Sequence, residues 1–439
     1  MRIALFTPGT GHFHCGSCLR DGTLANALRA AGHEVRMVPL YLPLVLEEEA
    51  PDAAEPVRMG GINVFLQQKL AAARHLPGPL ADALDSPRLL RWVARHSNMT
   101  DPAGLGAMTL AAIEGERGPL AGEVDKLARR VRATGDDPDV LLLSNAMLLG
   151  TARRLRAEFD RPLVCTMQGE APFLDGLGEP FRERAWRAVA ERVADADAFI
   201  AVSADYGALM AERLAIPAEK LTVVHNGIEA ADLLDLPGPW SADTPPVPRI
   251  GFLARMCPDK GLATLVDAFL ALRGRGRVEG TRLAVAGTLL ASDRPFVERL
   301  RARIAEAGAA AEVELHPDIT RAEKVRFLDS LAVLSVPATY GESFGLYVLE
   351  ALAAGVPVVQ PRHAAFPELI EATGGGVLCE PDDAASLADA LEALLLDPAR
   401  ARALAERGRR AVRECFGAEH MALGIADVCT MLAHRRDPA

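Results

Sequence analysis

The chain has 439 residues, 50% apolar and 24% charged, which excludes a wholly disordered, collagenous or coiled-coil protein and, at roughly 150 residues per domain, implies two or three domains. Its 48 basic and 59 acidic residues give a formal charge of −11, so the surface as a whole repels nucleic acid. Seven cysteines (Cys15, Cys18, Cys165, Cys257, Cys379, Cys415, Cys429) are scattered without the dense, even spacing of a disulfide framework and predict reduced thiols in a cytoplasm.

From the N-terminus, the apolar run Ile3 to Phe6 breaks at Pro8, short of the roughly 7 to 15 residues of a signal-peptide core. No apolar run in the chain reaches the roughly 18 residues of a membrane span. Helical period follows over Leu19 to Ala31, then a second run over Glu34 to Pro39. Residues from about 43 to 135 break this alternation and predict an insert on the first domain. Within it Arg88, Arg91 and Arg95 oppose Leu89, Trp92 and Val93. Residues 86–96 therefore predict a basic amphipathic helix, docked on its own domain or touching a membrane surface from outside.

The alternation resumes with a strand over Val140 to Leu143, a helix over Leu148 to Phe159, a strand over Leu163 to Thr166 and a helix from about Phe181 to Ala194. A strand over Ala198 to Ser203, a helix to Leu214 and a strand over Leu221 to His225 complete a first doubly wound domain, residues 1–236. The stretch Leu236 to Arg249 holds five prolines, which suit neither a helix interior nor a central strand, so 237–248 reads as a linker. Strands at Arg249 to Leu253, Leu283 to Gly287, Val313 to Leu315 and Val333 to Val336 then alternate with helices to about residue 415. In the final segment, 416–439, Met421, Ile425, Val428 and Leu432 recur at helical period and predict a helix that crosses back to the first domain. The fold class is α/β, two doubly wound parallel sheets in series, with ligands expected at the carboxyl ends of the strands and a cleft between the domains as the default site.

Two stretches suit anion binding. Gly341-Glu342-Ser343-Phe344-Gly345-Leu346 follows an apolar strand and leads into a helix for which Ser343 is the expected N-cap. The amides of Phe344, Gly345 and Leu346 would then face a diphosphate, while Glu342, and Glu350 two turns further on, would accept hydrogen bonds from sugar or ribose hydroxyls. The plainer reading makes the glutamates a cap and a surface charge. Gly251 to Gly261 carries Arg255 and Lys260 just past another strand, and only five of the 48 basic residues are lysines. This pair would grip a diphosphate, or is simply solvated. Asp195-Ala196-Asp197 lies at a helix end ahead of a strand, and reads as a solvated turn rather than a metal loop.

These motifs resemble family 4 of the retaining, nucleotide-sugar-dependent glycosyltransferases, and the resemblance spans nearly the whole chain. It rests on Glu342 and Glu350 in the family's Glu-x7-Glu spacing, on Arg255 and Lys260 as its Arg-x4-Lys pair, on Ala201-Val202-Ser203, on Leu221 to Glu229 with Asn226-Gly227, and on the turn Gly374-Gly375-Gly376. The family implies a GT-B fold of two facing Rossmann-like domains and a nucleotide diphosphate sugar as co-substrate, with no metal and no other cofactor. It further implies that Glu342 holds the sugar, Glu350 the ribose, and Arg255 and Lys260 the diphosphate, with Ser343 to Leu346, Asn226 and Gly227 beside the donor. The glycine-rich loop after the first strand would bring Gly16 and Ser17 to the donor phosphate, with His12, His14, Arg20 and Asp21 on the acceptor side. His12, His14, Cys15 and Cys18 also allow a zinc site or a redox thiol pair.

One departure from the family is Gln168, which stands where many members place a histidine. Its amide hydrogen-bonds but does not titrate. Nearby Glu170 is either an acceptor-side carboxylate or a cap. The activity implied is retaining transfer of a hexosyl or N-acetylhexosaminyl group to an unidentified acceptor, with the departing phosphate as base. A nucleotide-sugar epimerase, a glycosyl phosphorylase and a non-catalytic nucleotide-sugar sensor are the rivals on the same fold.

Overall fold

The computed structural model describes residues 1–9, 16–41, 102–135, 137–241 and 247–436. His12, His14, Cys15 and the amphipathic stretch 86–96 lie outside the described residues, as do the side chains of Gly16, Ser17 and Cys18. The chain divides into two compact units, Met1–Asn226 with Ala418–Ala439, and Gly227–Gly417.

The first unit is built on β1 (Arg2–Thr7), β2 (Glu34–Pro39), β3 (Val140–Leu143), β4 (Leu163–Met167), β5 (Ala198–Ala201) and β6 (Leu221–Val223), in the order β2-β1-β3-β4-β5-β6. Every pairing is parallel, with Ile3 opposite both Val35 and Val140. β3, β4 and β5 are buried at every position, which is why they read as near-continuous apolar runs rather than alternating ones, Thr166 being the one polar residue among them. The helix Ala418–Arg436 packs on this unit: Met421, Ile425 and Val428 join Ile3, Leu5, Leu24 and Leu28 in one core cluster, with Leu432 against its edge. Burying such side chains stabilises by roughly 1.5 to 3 kcal/mol each.

The second unit holds β7 (Arg249–Leu253), β8 (Arg282–Gly287), β9 (Val313–Pro317), β10 (Val333–Leu334), β11 (Val358–Pro361) and β12 (Gly376–Cys379), parallel in the order β12-β11-β10-β7-β8-β9. The boundary between the units falls ahead of the proline-rich stretch, because the residues after Asn226 are tied to the second unit. Arg409 donates to the carbonyls of Leu234, Leu236 and Pro237, and buried Trp240 donates to the Ala332 carbonyl at 2.8 Å. Among the described residues no helix is long and apolar enough to cross a membrane.

Each sheet reverses its winding once, between β1 and β3 and between β7 and β10. Such switch points are where the strand ends of a doubly wound sheet leave room for a ligand. In the second unit the loops that follow β7 and β10 are those carrying Arg255 and Lys260, and Tyr340 and Glu342.

Candidate functional site

The loops after β7 and β10 are stitched together by their backbones. The Thr339 amide donates to the Asp259 carbonyl at 2.9 Å. Gly261, at φ 72°, ends the single turn Pro258–Lys260 in the left-handed region, and a β-carbon there would collide with the Pro337 carbonyl. The turn brings Lys260 onto Glu342, with Nζ 2.5 Å from Oε2. Lys260 also donates to the Tyr340 hydroxyl. Two more donors reach the same carboxylate oxygen, the hydroxyls of Tyr340 at 3.1 Å and Tyr347 at 3.0 Å. The pair is largely buried, with side chains 19% and 11% exposed.

Burial alone would raise the Glu342 pKa, but Lys260 and the two hydroxyls outweigh it and hold the carboxyl below its ordinary range. Burial would likewise lower Lys260, and Glu342 with Tyr340 hold it above the ordinary lysine value. At neutral pH both are therefore charged. An ammonium has three N–H donors, and among the described residues Lys260 uses two, on these partners, leaving one for a ligand oxygen. Arg255 is gripped by Asp293 through Nε at 2.7 Å and Nη2 at 3.1 Å, which fixes the plane of its guanidinium.

Glu342 and Lys260 are thus not two side chains standing free in a cleft but halves of one ion pair. Sequence reading missed Tyr340, Tyr347 and Asp293. A signal for the tyrosines existed, since two of the chain's four flank Glu342. Glu350, in the helix Leu346–Ala353, accepts at Oε1 from Lys324 at 2.7 Å and Arg321 at 3.3 Å, so it is no isolated surface charge either. Ser343 is not the N-cap of that helix. Gly345 takes the position at φ 93° with no side-chain cap, because the chain enters through the left-handed region, and Leu346 is the first helical residue. Ser343 and Phe344 are buried beside it.

In the first unit the helix Gly16–Ala30 starts at the residues expected to approach a phosphate, Gly16 and Ser17. Arg20 and Asp21, expected to face an acceptor, are instead buried, with both side chains 0% exposed. Asp21 accepts from Thr7 Oγ1 at 3.1 Å, Gln168 Nε2 at 2.9 Å and Arg20 Nη1 at 3.3 Å. Arg20 Nε donates to Asn226 Oδ1 at 2.9 Å, which fixes the Asn226 amide in place. Gly227 is buried, the first residue of the second unit. Burial pushes the Asp21 carboxyl above its ordinary range, against the pull of Arg20 and its hydrogen-bond donors. Gln168 Nε2 also donates to the Ser144 carbonyl at 2.6 Å, so the amide that stands in the histidine's place is held rigidly.

Glu170 is a cap rather than an acceptor-side group. Its carboxylate accepts from the amides of Ala146, Gln168 and Gly169 at 2.8, 3.0 and 3.0 Å and from the Tyr206 hydroxyl at 2.8 Å. The expected solvated turn at Asp195 and Asp197 is also corrected: Arg153 holds Asp195 at 3.1 Å and Arg156 holds Asp197 at 3.1 Å.

Two parallel, doubly wound units, one with a charged Arg-x4-Lys and Glu-x7-Glu constellation at its switch point, define a glycosyltransferase of the GT-B architecture. The family description "Glycosyl transferase 4-like domain" matches residues 22–227, and "Glycosyl transferases group 1" matches residues 244–411. The D-inositol 3-phosphate glycosyltransferase of Xylanimonas cellulosilytica is 32% identical over 306 residues, 66% of this chain and 71% of that protein. The glycogen synthase of Mycobacterium tuberculosis is 30% identical over 311 residues, 68% and 71% of the two chains. Among solved structures, sucrose-phosphate synthase from Thermosynechococcus elongatus superposes with a TM-score of 0.68 at 19% identity, covering 98% of this chain and 99% of that one. The Anabaena HepE protein in complex with UDP-glucose gives 0.65 at 18%, covering 98% and 100%. The chain belongs to the family 4 glycosyltransferases.

Proposed function

We propose that the protein is a retaining, metal-independent transferase that moves a hexosyl or N-acetylhexosaminyl group from a nucleotide diphosphate sugar to an acceptor bound by the first unit. The observation that carries this reading is the Lys260–Glu342 pair beside Arg255 at the switch point of the second unit. A charged lysine with a spare N–H and a guanidinium fixed by Asp293 suit the two charges of a departing diphosphate, and they supply electrostatic stabilisation where a metal would otherwise serve. Glu342 takes a sugar hydroxyl and Glu350 the ribose, because ionised carboxylates only accept hydrogen bonds. The HepE complex with UDP-glucose supports a nucleotide-sugar donor on this fold.

In this reading the bond between the sugar's anomeric carbon and the phosphate oxygen breaks as the acceptor oxygen bonds to the same face. The acceptor's proton passes to the departing phosphate oxygen. No protein base is needed, in keeping with Gln168 standing where a titrating histidine is common in the family. The protein's part is to orient the reactants and to stabilise charge.

Titration calorimetry against UDP, GDP, ADP and dTDP and their common sugars, with and without EDTA, tests this. One nucleotide should bind selectively and independently of EDTA. That binding should weaken at least about tenfold in the Lys260→Met, Glu342→Gln double variant, which removes both charges without stranding either. Binding by none of the four nucleotides would overturn the reading, and loss of binding in EDTA would overturn its metal independence.

A further inference from the structure

The hydrogen bonds to Glu342 are lopsided. Lys260 at 2.5 Å, Tyr347 at 3.0 Å and Tyr340 at 3.1 Å all converge on Oε2, and among the described residues none reaches Oε1. Tyr340 comes from the loop after β10 and Tyr347 from the first turn of the helix Leu346–Ala353, so the two phenols approach from different elements. Lys260 Nζ lies 4.9 Å from the Tyr340 ring centroid and 5.5 Å from that of Tyr347, which lets both rings hold the cation as well as the carboxylate.

A lone ammonium is a point charge that pairs equally well with either carboxylate oxygen. Two directional O–H donors on one oxygen remove that freedom. We propose that Tyr340 and Tyr347 are positioning residues: they fix Glu342 with Oε2 held by the protein and Oε1 offered to the donor sugar, so that the site selects sugars bearing a free hydroxyl at the facing position. This rests on reading the second unit as a nucleotide-sugar site. The ligand group must be a hydrogen-bond donor, because an ionised carboxylate accepts only. A sugar with hydrogen or fluorine there offers no proton, and one with a carboxylate there is repelled. Glu350 is lopsided in the same sense, with Lys324 and Arg321 both on Oε1.

The test uses the full chain with Tyr340→Phe, Tyr347→Phe and the double variant, which keep both rings over Lys260 and delete only the hydroxyls. UDP-glucose, GDP-mannose, ADP-glucose and dTDP-glucose are titrated into the wild type, then the deoxyfluoro analogues of whichever binds. The wild type should bind the parent sugar at least about tenfold tighter than one of the analogues, the loss expected for a missing hydrogen bond to a charged acceptor. In the double variant that ratio should fall towards one, while the free nucleotide diphosphate binds as to the wild type. Should the double variant fail to fold, the same ratio is read from Tyr347→Phe, where it should fall part of the way.

A merely structural role for the tyrosines would leave the ratio unchanged. If the Tyr→Phe variants discriminate like the wild type while Glu342→Gln loses discrimination, Glu342 reads the hydroxyl without the tyrosines and this inference is overturned alone. If the wild type binds no nucleotide sugar, the donor-site reading is overturned and this inference with it.

Discussion

Lys260→Ala should reduce transfer to background and at the same time lower stability by about 3 to 5 kcal/mol, the usual cost of stranding one member of a buried ion pair. Simple removal of a solvated active-site cation would have left the fold untouched. Here, however, Glu342 would remain largely buried with only two tyrosine hydroxyls for its charge. The double variant Lys260→Met, Glu342→Gln should regain most of the stability and none of the activity. Thermal unfolding alongside a transfer assay separates the two effects, and wild-type activity in Lys260→Ala would remove the pair from the site.

The same pair sets a pH dependence. Glu342 titrates lower in the folded chain than in the unfolded one, so the stability it brings is complete above the ordinary glutamate value of about 4.3 and is lost as pH falls through the lowered one. The stability gap between wild type and Glu342→Gln should therefore shrink below about pH 4. Lys260 has the opposite sign: its contribution is complete below the ordinary lysine value and fades only as pH rises through the raised one. Across the neutral range the gap should be flat, and a gap that widens in acid would contradict the pairing.

Asp21→Ala is expected to be as damaging in the first unit. It leaves the Arg20 guanidinium, 0% exposed, with Asn226 as its remaining hydrogen-bond partner. Arg20 Nη2 already lacks one. Removing the charge that compensates it should cost about 3 to 5 kcal/mol, and Gln168 would lose the acceptor that Asp21 gives its side-chain amide. Arg20→Met with Asp21→Leu, which removes both charges at similar volume, should recover much of that loss. Denaturant unfolding distinguishes these outcomes. An Asp21→Ala chain as stable as the wild type would show that the buried pair does not hold this end of the sheet.

Much of the architecture is local in origin. β7 was legible to the residue, Arg249 to Leu253, because the buried positions after Arg249 carry no polar side chain, as a strand covered on both faces requires. The helical period of Met421, Ile425 and Val428 likewise marks the buried face of the last helix. The Arg-x4-Lys and Glu-x7-Glu spacings were visible because each pair is close in sequence, the first within one loop and the second running from a loop into the helix that follows it. Where the reading slipped, at Ser343, the reason was also local: a serine before a helix suggests a cap, but the left-handed backbone at Gly345 begins the helix later.

The sequence by itself therefore determined two doubly wound domains in series and the residue types at the strand ends, but it marked only four of the second sheet's six strands, β11 and β12 going unread. Only the tertiary structure decided which of those residues meet. Lys260 and Glu342 are 82 positions apart, and Arg20 and Asn226 are 206 apart. No periodicity reports a pairing over such distances, since it depends on strand order and on which side the winding reverses. The tyrosines on Glu342 and the carboxylate on Arg255 follow from that placement, and with them the change from free charges to fixed pairs.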